Sequence, residues 1–414
     1  TNSNLIISLV APGLSNEIHK IAVLQLKIMA PIALFSGLIG IGFGSLNAKE
    51  KFLIPSISPC ISSVIIIISI GFYSLTTSEN NQTFDYALKG GAILAIATLI
   101  GAISQWIIQI PSLIKHKLFK FKLMWDFKNP GVKEVLNIIL PATFSSGMLQ
   151  INVFTDLFFA SGIAGAAAAL SYANFIVQAP LGLISNTIII PLLPKYSKLF
   201  DSKNEKDLIL KIRQGLFLSL ASMIFLGVIF ISLSPDIIEL IYKRGVFDNN
   251  AVSLVSSLLI AYGIGMPAYL SRDLLVRIFY TFGDAKTPFK LSLTGIWLNI
   301  IFDWILIGGP TPWGNQIPFN FGVTGIVLAT VIINSLTSLL LIIKLKSYIK
   351  NLPLKNYSLD LLKLIASGLI TAIITFTISN IIILPRNFIN LFLELSICFS
   401  IAFITFFLMN NLFK

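Results

Sequence analysis

The chain has 414 residues, of which 55% are hydrophobic and only 12% charged, with a mean hydropathy of +0.87 and a formal net charge of +12. That apolar share exceeds what a soluble domain carries and excludes a water-soluble enzyme. Two cysteines, Cys60 and Cys398, lie in apolar stretches, so neither a disulfide framework nor a CxxC metal site is available, and both read as core residues. No GxxxxGK[ST] motif occurs, so any work the protein does draws on gradients or on its cargo rather than on a bound nucleotide.

A membrane crossing needs roughly 20 mostly apolar residues. Windows of that kind fall near 21–46, 52–75, 88–112, 135–160, 163–191, 209–233, 250–272, 286–308, 322–344, 358–380 and 387–410. All eleven read as helices, because lone strands leave backbone groups unsatisfied in lipid and no run alternates at period two.

The connecting loops sort by charge. Alternate loops hold 2, 6, 6, 4 and 5 Lys and Arg at 47–53, 113–133, 192–213, 272–290 and 344–363, and with Lys414 these make 24 of the 30 basic residues. The loops between them, such as 77–86 and 308–320, carry almost none. The positive-inside rule therefore puts the N-terminus outside and the C-terminus in the cytoplasm. Basic residues confined to short juxtamembrane loops argue against nucleic-acid binding. The segment KHKLFKFK at 115–122 predicts an interfacial amphipathic helix in contact with anionic lipid.

A weak internal repeat is registered twice. The segment 29–52 aligns with 265–288, pairing Pro31 with Pro267 and Phe43 with Phe279 at an offset of 236, and both prolines read as entrances to spans. GGAILAIAT at 90–98 aligns with GVTGIVLAT at 322–330 at an offset of 232. If a second lobe begins near Val132, its partner begins roughly a hundred residues before Thr1, which is room for about three further helices. The expected organisation is thus 1–112 as the remainder of a first lobe, 113–131 as a basic cytoplasmic linker, 132–346 as a second lobe of six spans, and 347–414 as two additional spans.

Several segments now carry a resemblance: LVAPGL at 9–14, LKIMAP at 26–31, SYANFIVQAPLGLISNTIIIPLLPKYSKL at 171–199, YKRGVFD at 242–248 and RIFYTFGDAKTP at 277–288. On these the chain resembles the MurJ/MviN family of lipid-linked peptidoglycan precursor flippases. The resemblance covers nearly the whole chain. It implies an all-α, two-lobe bundle of the multidrug/oligosaccharidyl-lipid/polysaccharide exporter type with fourteen helices, of which this chain holds the fourth to the fourteenth. It also implies a cavity arginine in an Asp-Arg pair after YA, where this chain has Asn174 and Phe175.

Ionisable groups inside spans are the bottom-up guide to sites, since burying a charge in lipid costs a few kcal/mol or more and persists where it is paired or useful. Asp156 lies in one span and Asp303 in another, and Asn299, four residues before Asp303, shares its helix face. Together with Thr330 and the carbonyl of Ile326 they form an oxygen-rich candidate site for a coupling ion, sodium being the metal in view, or for a proton. A hydrogen-bond network that only packs helices fits the same residues. Lys27 reads either as a counter-ion for a cargo phosphate or as a snorkelling residue. Asn174 and Gln178 are cargo or helix-packing positions, like Gln150, Asn152 and Asn186, and Arg272 lies with Asp273 and Arg277 at the cytoplasmic border. Arg244, in the RGxF turn on the outer side, either caps a helix end or meets a lipid headgroup.

The expected protein is a monomeric, non-enzymatic transporter of the bacterial inner membrane. It carries a polyprenyl-pyrophosphate-linked cell-wall precursor by alternating access, contacts membrane lipids, and needs no cofactor beyond a coupling sodium ion or proton. A multidrug/cation antiporter or another polysaccharide-lipid flippase of the same superfamily is the alternative.

Overall fold

The computed structural model describes residues 2–51, 53–76, 84–119, 131–132, 150–202, 204–308, 319–349, 354–382 and 385–412. Its regular structure is helical throughout these residues, and the chain divides into two compact units, Thr1–Pro141 and Ala142–Lys414. Nine of the described helices are long and apolar enough to cross a membrane, or ten if one bent pair counts as a single crossing. The protein is a multi-pass membrane protein.

The first unit holds α1 (Ser3–Val10), α2 (Asn16–Met29), α3 (Ile32–Ala48), α4 (Leu53–Thr76) and α5 (Phe84–Lys115). α2 starts where Ser15 accepts a hydrogen bond from the Ile18 N–H at 3.5 Å. Where the sequence predicts one helical crossing at 21–46, α2 and α3 meet at a 45° bend across Ala30 and Pro31. Pro31 has no N–H to return to the preceding turn and its ring crowds the carbonyl there, so the helix breaks. The repeat accounts for the same place. α10 of the second unit (Asn249–Thr281), moved back by the repeat offset, overlies α2 and α3 together. Both prolines are therefore interior to a crossing rather than at its entrance: Pro31 at the bend and Pro267 within α10.

Two other expectations change in this unit. Lys115 is the last residue of α5, and the chain turns at His116–Lys117, with Lys117 at φ 57, so no interfacial helix runs from 115; residues 120–122 lie outside the described ones. Cys60 is exposed on α4, whereas Cys398 is fully buried. In a membrane helix a thiol on the outer face meets lipid at little cost, so apolar sequence context alone does not place it inside.

The second unit adds α6 (150–160), α7 (Ala166–Ile184), a π turn (Ser185–Ile189), α8 (Ile190–Asp201), α9 (Glu205–Tyr242), α10, α11 (Lys286–Ile307), α12 (Val323–Leu345), α13 (Leu354–Ile381) and α14 (Phe388–Leu412). Of the predicted 135–160 span only 150–160 is described. α7 runs through the π turn into α8 and so passes the end of its apolar window, because hydropathy falls at Lys195 and Lys198 while nothing halts the helix before Ser202.

α10 is the hub, packed against α7, α9 and α12. Lipid provides no hydrophobic drive between helices, so close backbone approach has to supply the packing. Gly227 of α9 and Gly263 of α10 meet in this way: a Cβ on Gly227 would lie 2.5 Å from the Gly263 carbonyl oxygen.

α13 and α14 lie on α9. Gly368 takes in Ile224 and Val228, and Phe225 packs on Phe399, Phe403 and Phe406 at ring separations of 5.4–5.8 Å. Both ends of this hairpin are tied down. Arg213 binds Asp360 through two parallel hydrogen bonds of 2.8 and 3.0 Å, and Arg386 donates to Asp236 at 2.6 Å.

Two sequence motifs find their physical reason here. In YKRGVFD, Gly245 takes φ +61, the Phe247 N–H bonds the Arg244 carbonyl, and Asp248 caps α10 through the Ala251 N–H at 2.9 Å. In GDAKTP, Gly283 takes φ +76 and Asp284 accepts from the Lys286 and Thr287 N–H groups at 3.0 Å and from the Tyr348 hydroxyl at 2.8 Å.

A pair of carboxylates within the bundle and a polar face

α6, α11 and α12 bring Asp156, Asn299, Asp303 and Thr330 to one point inside the second unit. Asn299 and Asp303 are fully buried. The Asn299 amide nitrogen donates to Asp303 Oδ2 at 2.8 Å and lies 3.5 Å from Asp156 Oδ1, while Thr330 donates to Asn299 Oδ1 at 3.4 Å. One amide thus bridges two acids. Among the described residues no lysine or arginine forms an ion pair with either carboxylate.

Among the described residues, Asp303 Oδ1 and Asn152 Oδ1 are buried without a hydrogen-bond partner. Ile326 is buried one turn before Thr330, and no described side chain donates to its carbonyl. Asn152 lies one turn before Asp156 on α6; the sequence left it among generic polar positions. The spacing of four that tied Asn299 to Asp303 also ties Asn152 to Asp156. The rings of Tyr262 and Tyr269, from α10, pack 6.3 Å apart.

The other candidates fall elsewhere. α7 buries Ala166, Ala169, Ala173 and Val177 and turns its opposite face outward. On that exposed face Gln178 donates to Asn174 at 3.4 Å, and Phe175 is 74% exposed. Further along the same polar line Ser185 donates to Asp273 at 3.1 Å, and Asp273 pairs with Arg277 at 2.9 Å. Sequence reasoning had no means to join Ser185 to Asp273, since they are 88 residues apart. Arg272 donates to Ser292 at 3.0 Å, and its buried Nε has no partner among the described residues. Lys27 is exposed in the last turn of α2, one turn before the bend, and pairs with no described carboxylate.

Comparison with known proteins then decides the family. Residues 2–407 match the family described as Lipid II flippase MurJ. The chain belongs to that family. It is 44% identical over 371 residues to the protein named "Probable lipid II flippase MurJ" of Synechocystis, covering 90% of this chain and 68% of that relative. The one so named in Rickettsia prowazekii is 32% identical over 304 residues, 72% of this chain and 57% of that protein. A solved structure titled "Lipid II flippase MurJ, inward closed conformation" superposes at a TM-score of 0.74 with 27% identity, covering 98% of this chain and 77% of that one. An inward-facing multidrug resistance transporter of the MATE family superposes at 0.65 with 15% identity, a likeness of fold alone.

Proposed function

We propose that the protein moves lipid II from the cytoplasmic to the outer leaflet of the bacterial inner membrane by alternating access, as a transporter and not an enzyme. The family match across residues 2–407 carries this reading, and the likeness to the multidrug transporter, being one of fold alone, gives the antiporter alternative no support of its own. The cargo is a polyprenyl-pyrophosphate lipid, with Asn174, Gln178, Arg272 and Lys27 as candidate cargo contacts. Expression of the full-length protein in cells depleted of their own lipid II flippase is expected to restore growth. Failure despite normal insertion would count against the assignment.

We infer further that Asp156, Asn299 and Asp303, with Thr330, Asn152 and the Ile326 carbonyl beside them, hold a sodium ion or a proton that couples transport. Two acids with no cationic partner among the described residues of an apolar bundle need a positive charge or a proton to be stable there. Oxygen donors suit a hard cation. A monomer suffices for this mechanism.

Loop charge supports an external N-terminus and a cytoplasmic C-terminus. With Cys60 and Cys398 replaced, an impermeant thiol reagent added outside is expected to label Asn80→Cys and not Lys120→Cys. The reverse pattern would overturn the orientation.

A further inference from the structure

A cavity of about 820 Å³ opens where α7 begins, α9 ends and α10 begins. Its floor is the small-residue face Ala164, Gly165, Ala168 and Ala169, and Tyr172, Tyr242 and Phe247 form an aromatic wall with ring separations of 4.8–5.7 Å. Loop charge places this end of the bundle at the outer membrane surface, where tyrosines take up the boundary between lipid and water.

Arg244 stands at the rim. Among the described residues it is the one arginine of the five without a side-chain hydrogen-bond or ion-pair partner: Arg213, Arg277 and Arg386 hold carboxylates and Arg272 holds Ser292. Arg244 is exposed and spends one Nη on the Ile241 carbonyl at 2.6 Å, which caps α9. That single bond leaves most of its five donors available. Neighbouring acids do not neutralise it. Asp248 accepts from the Ala251 N–H and from Asn250, while Glu239 pairs with Lys243 at 2.9 Å and faces Arg386 at 3.7 Å.

We propose that this cavity binds an anionic phospholipid of the outer leaflet, its phosphate on Arg244 and an acyl chain along the alanine face of α7. A planar guanidinium at an apolar cleft suits a phosphate bearing a hydrocarbon tail. The volume lies within the range of about 300–1,000 Å³ typical of small-ligand sites. The assignment rests on the membrane orientation and is independent of the cargo, so its failure would leave the flippase reading intact.

The test is native mass spectrometry of the detergent-purified protein with phosphatidylglycerol, phosphatidylcholine of the same chains, or undecaprenyl pyrophosphate. Phosphatidylglycerol is expected to be retained over phosphatidylcholine. Arg244→Ala is expected to cut that retention roughly tenfold, the equivalent of one charge-assisted contact. Ala168→Trp, which fills the floor and keeps the arginine, should cut it similarly, and Arg244→Lys should retain part of it. Retention of phosphatidylglycerol unchanged in both Arg244→Ala and Ala168→Trp would overturn the proposal. So would an Arg244-dependent retention confined to undecaprenyl pyrophosphate, which would assign the cavity to the cargo instead.

Discussion

Asp303→Asn in the full-length protein is expected to lower transport at least roughly tenfold and to abolish its sodium or pH dependence, while membrane insertion and thermal stability stay near wild type. The amide keeps the size of the carboxyl group and can still bond Asn299, which holds Asp303 Oδ2 at 2.8 Å. It removes one of the two carboxylates that, on the proposed reading, hold the ion or proton. An alternating-access protein responds only to a ligand with different affinity for its two states, so a site that no longer distinguishes bound from free loses its coupling. Uptake of labelled lipid II into proteoliposomes, measured across sodium and pH series, reads this directly. Unchanged transport with unchanged ion dependence would reduce the three residues to a helix-packing network.

The second large effect concerns assembly. Gly227→Leu is expected to prevent stable packing of α9 on α10, at a cost on the order of 1–3 kcal/mol or more. The Gly263 carbonyl stands where the first new carbon would go, and it is backbone in a long helix that cannot step aside cheaply. Solubilised protein should shift from a single folded peak to aggregate in size-exclusion chromatography, with a lower unfolding midpoint. An unchanged elution profile and midpoint would show that the two helices can separate without loss.

Much of this was legible in the sequence because lipid simplifies the code. Continuous apolar runs at 52–75, 209–233, 322–344 and 387–410 read as crossings; α9 contains its run, and α4, α12 and α14 each cover theirs from its second residue on. The Asn299–Asp303 pair was legible for a related reason: acids are so costly in a span that two of them with an amide stand out. The meeting of α6 with α11 is another matter, since Asp156 and Asn299 are 143 residues apart and no local rule brings them together.

What stayed hidden depended on geometry within apolar stretches. The bend at Ala30–Pro31 interrupts no hydropathy, so a window reads straight through it. The helical continuation from α7 into α8 has the opposite cause, for polarity changes at Lys195 while the backbone does not. Ser185 and Asp273, and the end clamps Arg213–Asp360 and Arg386–Asp236, join residues far apart in the chain. Arg244 was legible as a choice between a cap and a lipid contact, and its bond to Ile241 is the cap.

The most direct measurement of the central claim is the amount of lipid II accessible from the outside of spheroplasts depleted of their native flippase and supplied with the full-length protein. Externally accessible lipid II is expected to return to the level of undepleted cells, and Asp303→Asn is expected to leave it low although the variant inserts normally. Accessible lipid II that remains low with the wild-type protein correctly inserted would contradict the assignment.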